Sequence, residues 1–339
     1  MKKHILLFVI AFMAVGHAAK AEEIITTGQT SDYIPDISLD TRFGYDYNFS
    51  GKAGSFLGDG LYLDINGYIS PNFSYSFNHR LASSYYDNEL SGFDATNWLT
   101  LTYEIGEFSF TAGKDGLMVG SFEYDAYDLD SYYSMNSGFY NTLDCWQWGV
   151  SASWVPDEDH SLAFQIANSP LAAGRPNLYA YNIAWRDKDD FYETYWSVNF
   201  WEYSKGNFVK AINLGNRITF GPFSMDLDLM SRGENWDDLD FTILTSPSVT
   251  IGDWGRAFAK FGLEKTEEDL VYELSYGGEY VFYGAGFEYF PLKENHDVRL
   301  HAVWSSNNHN MHLLNIGLTW KFGITKTVKN ILSRSGKNL

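Results

Sequence analysis

Apolar and aromatic side chains recur at every second position over most of this chain, and that period dictates what it can fold into. In Ile37-Leu39-Thr41-Phe43-Tyr45-Tyr47-Phe49 the intervening residues are Ser38, Asp40, Arg42, Gly44, Asp46 and Asn48. The same alternation runs through Trp146-Trp148-Val150-Ala152-Trp154, Phe223-Met225-Leu227-Leu229 and Leu314-Ile316-Leu318-Trp320-Phe322. Successive side chains of a β-strand point to opposite faces, so each segment presents one apolar and one polar face. Sixteen such segments are predicted, at 36–49, 60–69, 72–80, 97–105, 107–115, 145–155, 160–168, 177–186, 192–203, 208–220, 222–231, 240–251, 255–264, 278–290, 298–306 and 311–322. Their connectors alternate too. One set is mostly tight, as at Ser70-Pro71, Gly106 and Gly221; the other is mostly longer and polar, as at 50–59, 81–96, 116–144 and 232–239.

Short turns at one end, long loops at the other and an even strand count describe an all-β, transmembrane antiparallel up-and-down β-barrel, with periplasmic turns and extracellular loops. Hydrocarbon offers backbone groups no hydrogen-bond partner, so only helices or closed barrels cross a membrane. After the first 21 residues no apolar run approaches the roughly 18 residues of a transmembrane helix. A soluble β-sandwich would need several stacked units, and no domain linker is visible. Composition excludes other classes. Aromatic residues make up 18% of the chain, unlike a disordered polymer. The single cysteine, Cys145, cannot pair within the chain. Forty-three acidic against 24 basic residues and a pI near 4.7 disfavour nucleic acid as a partner.

The chain begins as a secretory signal peptide does. Lys2 and Lys3 precede the apolar stretch Ile5 to Val15, and Ala19-Lys20-Ala21 supplies small residues before a cut at Glu22. The expected organisation is a signal peptide at 1–21, a periplasmic segment at 22–35, the barrel at 36–322 and a basic periplasmic tail at 323–339. Delivery to the bacterial cell outer membrane follows.

Two hairpins carry a family resemblance. Leu61-Tyr62-Leu63-Asp64-Ile65-Asn66-Gly67-Tyr68-Ile69-Ser70-Pro71-Asn72-Phe73-Ser74-Tyr75 resembles the early hairpin of phosphate-selective porins of the O/P type, in the version common in gut anaerobes. Leu99 to Glu104 followed by Phe108 to Lys114 resembles their next hairpin, which ends in a Gly-Lys step before a long third loop. The resemblance implies a sixteen-stranded barrel, often a homotrimer, that passes small solutes, with the third loop folded into the lumen. It does not carry phosphate selectivity with it. Phosphate-selective members line their constriction with Arg and Lys, whereas 121–146 contains neither.

The loop 116–144 is therefore the candidate pore constriction, with Glu123, Asp125, Asp128 and Asp130 as its charges. A ring of carboxylates favours cations; an acidic outer-surface loop is the alternative. Lumen-wall candidates are of mixed sign: Asp40, Arg42, Asp64, Glu104, Arg217, Asp226, Asp228, Arg256, Lys260 and Arg299. They could set up a transverse field or simply form cross-strand pairs. Tyr62, Tyr68, Trp98, Tyr127, Tyr132, Tyr133 and Trp201 read chiefly as interfacial girdle anchors, with a sugar-binding strip as the alternative. No H-E-x-x-H or G-x-S-x-G motif occurs, so neither enzyme chemistry, metal nor cofactor is expected. The leading function is a passive diffusion channel for small hydrophilic solutes or ions, neutral or cation-preferring, with outer-membrane lipid around it. The alternatives are a plugged barrel serving as adhesin or structural protein, and an outer-membrane hydrolase.

Overall fold

The computed structural model describes residues 34–82, 94–126, 128–171, 177–234, 240–266, 274–293 and 295–328. The expected signal peptide at 1–21 and the tail from 329 onward lie outside the described residues. Among those residues sixteen strands close into one antiparallel barrel, each bonded to its sequence neighbours and β1 to β16. They are β1 (Asp36–Asn48), β2 (Ala53–Ser70), β3 (Phe73–Ala82), β4 (Thr96–Ile105), β5 (Phe108–Gly116), β6 (Trp146–Trp154), β7 (His160–Asn168) and β8 (Tyr179–Lys188). The second half comprises β9 (Tyr192–Ser204), β10 (Asn207–Phe220), β11 (Phe223–Gly233), β12 (Asp240–Ile251), β13 (Gly255–Thr266), β14 (Gly278–Tyr289), β15 (Val298–Asn307) and β16 (His312–Gly323). Closure leaves no strand edge to template aggregation.

Burial is inverted relative to a soluble protein. Val150 (55% exposed), Phe164, Ile166, Leu101 and Ile316 face outward, while Asn78, Asn199, Asn213, Asp228 and Glu264 are fully buried inside. The alternation thus separates a lipid face from a lumen face, as sixteen two-faced strands require.

One boundary differs from expectation. The segment 50–59 was expected as a loop, but β2 starts at Ala53 and its first residues pair with Phe43 to Asn48. The register shifts between Arg42 and Phe43, where β2 carries an extra residue. Glycines disguised this stretch as a loop. At Gly54 a side chain would collide with the Tyr45 and Tyr47 rings, so the glycine is there to seat the tyrosines. At the other end Thr325 ties the barrel seam: its hydroxyl accepts from the Ile37 amide at 3.0 Å and donates to the Pro35 carbonyl at 2.8 Å.

The lipid face generates a stability prediction. Val150→Arg places a charge at mid-strand in hydrocarbon and should lower the unfolding free energy in vesicles by about 2–4 kcal/mol. Ser151→Arg, whose side chain enters the lumen, should cost much less. Chemical unfolding, with the unboiled gel-mobility shift as the folding check, reads both.

Candidate functional site

The long connection between β5 and β6 does not leave the barrel. It folds into the lumen, burying Leu117, Val119, Phe122, Leu129, Tyr132, Met135 and Phe139. It contains a short helix α1 (Phe122–Asp125), a 3-10 turn (Asp128–Asp130) and a second short helix α2 (Gly138–Thr142). Ser121 caps α1, its hydroxyl accepting from the Glu123 amide at 3.2 Å. The cap is held from outside by Asp228 of β11. That carboxylate accepts from Ser121 Oγ (2.8 Å), the Phe122 amide (3.0 Å) and the Glu123 amide (2.9 Å). The entry to the loop rests on an amide row along the lumen face of β7 to β10. Gln165 accepts from the Met118 amide at 3.1 Å, Asn199 donates to the Met118 carbonyl at 2.8 Å, and Ser197 Oγ accepts from the Gly120 amide at 2.8 Å. Gly120 lies against the backbone of Trp196 and Ser197, which leaves no room for a side chain.

From there the loop crosses the lumen. Asp125 pairs with Arg186 on β8, while Asp130 pairs with Arg299 on β15 at 2.6 Å. Arg42 of β1 donates to the carbonyls of Leu129 (3.2 Å) and Ser131 (2.9 Å) and lies over the Tyr132 ring. Tyr132 donates to Glu288 of β14; burial, and then the Glu288 charge, push its phenol pKa up, which keeps it a donor. Glu123 is buried and takes Lys260 Nζ at 2.6 Å and the Ser137 hydroxyl at 2.6 Å. The return limb rests on Glu264 of β13. This buried carboxylate meets Arg232 at 3.0 Å and accepts from Thr242 (2.9 Å) and from the amides of Phe139 (3.4 Å) and Tyr276 (3.2 Å).

The predicted constriction charges are thus spread along a strap rather than gathered in a ring. Asp125 and Asp130 keep side-chain exposures of 39% and 42%, and Glu123 keeps 3%. The backbone of Asp128 lies in the 3-10 turn, and its side chain lies outside the description. Of the wall candidates, Arg217 forms a forked pair with Asp226 at 2.6 and 3.0 Å, and Arg256 meets Glu288 at 3.0 Å. Asp40 meets Lys321 at 3.4 Å, Asp64 accepts from Asn78 at 2.7 Å, and Glu104 is exposed at the turn end of β4.

Several aromatics expected in the girdle sit inside. Trp201 shares the lumen parity of Ser197 and Asn199, is fully buried and stacks on Phe139 at 5.8 Å. Tyr62 is buried, and Trp98 donates to Ser76 at 2.7 Å. Tyr132 and Tyr133 belong to the strap, and Tyr68 is 47% exposed; Tyr127 lies outside the described residues. The wall residues that anchor the strap, Asp228, Gln165, Ser197, Asn199 and Glu264, were visible only as polar residues at lumen parity, and Ser121 only as a serine within the long loop.

Beneath the strap, toward the short-turn end, lies a cavity of about 650 Å³. Its walls include Phe122, Tyr132 and Tyr133 of the strap together with Arg217, Arg256 and Phe258 of the barrel.

Comparison with known proteins places this geometry. Residues 37–186 match the phosphate-selective porin O and P family. No curated protein sequence matches. Among solved structures, an engineered variant of the Rhodopseudomonas blastica porin superposes with a TM-score of 0.59 at 12% identity, covering 85% of this chain and 100% of that one. The Vibrio cholerae outer-membrane protein OmpT, in a trimer form, gives 0.59 at 11% identity, covering 85% and 99%. The chain is an outer-membrane β-barrel with the porin fold whose residues 37–186 resemble the phosphate-selective porin O and P family, and that resemblance and the fold support an outer-membrane channel.

The strap's attachment is open to test. Asp228→Ala leaves the Ser121 hydroxyl and the Phe122 amide without their acceptor and the Glu123 amide with Ser121 Oγ alone, and each unsatisfied buried donor costs about 1–3 kcal/mol. The barrel should still show its gel shift, but limited proteolysis of the folded protein should cut within 116–144, where the parent chain resists.

Proposed function

We propose that this porin passes small hydrophilic solutes by passive diffusion, with the strap 116–144 setting the narrow part and with only a weak preference for cations. The observation that carries the reading is the pairing of Glu123, Asp125 and Asp130 with Lys260, Arg186 and Arg299. A carboxylate matched by a cation a hydrogen bond away contributes a dipole rather than a charge to a passing ion. The residual lean toward cations comes from half-exposed Asp125 and Asp130, since ions passing within a few ångströms feel a field focused by the low-dielectric wall. The polar lumen and the cavity of about 650 Å³ beneath the strap favour conduction over a plug. The fold and the family favour a channel over an enzyme. A homotrimer is part of the proposal, in line with the trimer form of OmpT.

Planar-bilayer recording tests it. Stepwise ohmic openings are expected, with a small reversal potential of cation-selective sign in a salt gradient. A silent bilayer after confirmed insertion would favour the plugged alternative. The paired geometry also predicts how substitution acts. Asp125→Asn with Asp130→Asn takes the nearer carboxylate from Arg186 and Arg299, leaving Glu193 at 3.8 Å and Glu288 at 3.7 Å as their partners, and shifts the local balance by two positive charges, so the reversal potential should change sign to anion preference instead of falling to zero. A fall to zero would mean that the two arginines do not face the permeation path.

A further inference from the structure

We infer that the cavity beneath the strap is a binding site for a neutral saccharide, which identifies a solute class for the channel proposed above. Its volume of about 650 Å³ falls within the roughly 300–1,000 Å³ of small-molecule sites. Its chemistry is of three kinds, each met on a sugar.

First, there is an aromatic corner. Phe258 is half-buried, stacks on Tyr132 at 6.0 Å, meets Tyr133 edge to face at 5.6 Å, with planes at 29° and 86°, and carries the Arg256 guanidinium over its ring at 5.3 Å. The negative face of such a ring attracts the polarised C–H bonds that line one side of a pyranose. Second, a row of hydroxyls flanks that corner. Ser246, Ser248 and Thr250 line the cavity at every second position of β12, and Ser248 is the direct cross-strand partner of Phe258. Third, the charged groups are matched. Arg256 and Arg299 meet Glu288, Arg217 meets Asp226 and Arg299 also meets Asp130, yet each guanidinium has five donors and each carboxylate about four acceptor positions, so part of their capacity is unspent. The Tyr133 hydroxyl, Arg256 Nε and Arg299 Nε have no acceptor among the described residues.

These features select a class of solute. An anion would gain little from guanidinia already neutralised by carboxylates. An apolar molecule would strip water from the hydroxyl row and the ion pairs. A saccharide has an apolar face for Phe258 and a rim of hydroxyls that both donate and accept, which suits paired charges on all sides.

The test uses the folded full-length mature protein, with maltose as the neutral probe and inorganic phosphate as the anionic one. Maltose added at millimolar concentration on the short-turn side should reduce single-channel ion current in a saturable way. Calorimetry on the detergent-solubilised protein should give the same dissociation constant. Phe258→Leu keeps the bulk but removes the ring and should raise that constant about two- to tenfold, while Phe258→Tyr should retain it. The gel-mobility shift establishes that both variants fold. Block and heat from phosphate but not maltose would overturn the assignment in favour of an anion site. A conducting channel with no maltose response by either method would also overturn it. A silent bilayer would count against the channel, and maltose binding by calorimetry would then still decide the site.

Discussion

Everything in this molecule follows from the refusal of hydrocarbon to hydrogen-bond a peptide group. A backbone that crosses the membrane as sheet must pair all its amides and carbonyls within the sheet, and only closure does this. The β1–β16 seam, from Ser38 opposite Gly323 to Asn48 opposite Leu313, is therefore as necessary as any hairpin. Closure then creates a second problem inside. A loop that enters the lumen brings backbone groups that its own short helices cannot satisfy, because α1 and α2 span only four and five residues. The barrel wall meets that need. Asp228 takes the first amides of α1, Glu264 takes the Phe139 amide, and Arg42 takes two carbonyls of the strap.

That division explains what could be read from sequence. The strands were legible because each side of the sheet meets a different solvent, and two-residue alternation needs no knowledge of distant contacts. The one misplaced boundary, the start of β2, lies where Gly51, Gly54, Gly58 and Gly60 suppress the alternation. Trp201 and Tyr62 were misassigned to the girdle because residue type was weighed above strand parity. The acidic character of the strap was legible too, but its partners were not. Lys260 lies 137 positions from Glu123, and Arg299 is on β15. Such pairs are formed by topology across a closed circle, and nothing local announces them. Asn182, Asn199 and Asn213 come nearest to a local signal. Amides at lumen parity in mid-strand are costly to bury alone, and here Asn199 bonds to both of the other two.

The same contacts change the meaning of the strap's charge. Read as an isolated segment, Glu123 to Asp130 is a cluster of carboxylates that would draw cations. In the folded molecule each described carboxylate serves as an attachment point, and the charge it offers to solution is what its partner leaves over. Glu123 is a limiting case, since it is almost wholly buried between Lys260 and Ser137. Removing one member of such a pair leaves an uncompensated buried charge, at a cost of about 3–5 kcal/mol. The pairs therefore specify where the strap lies more than they add to net stability, because their own desolvation offsets most of the attraction.

Salt separates the two roles. At physiological ionic strength the field of an exposed charge decays within about 8 Å, so in the proposed channel half-exposed Asp125 and Asp130 would act on ions only at close range, and less so as salt rises. Arg232 and Glu264, wholly buried, are hardly screened at all. Raising the salt thus weakens whatever distinction the lumen makes between ions while leaving the strap on its anchors. Under the proposed function, selectivity and architecture draw on the same residue types, and burial decides which of the two a given pair serves.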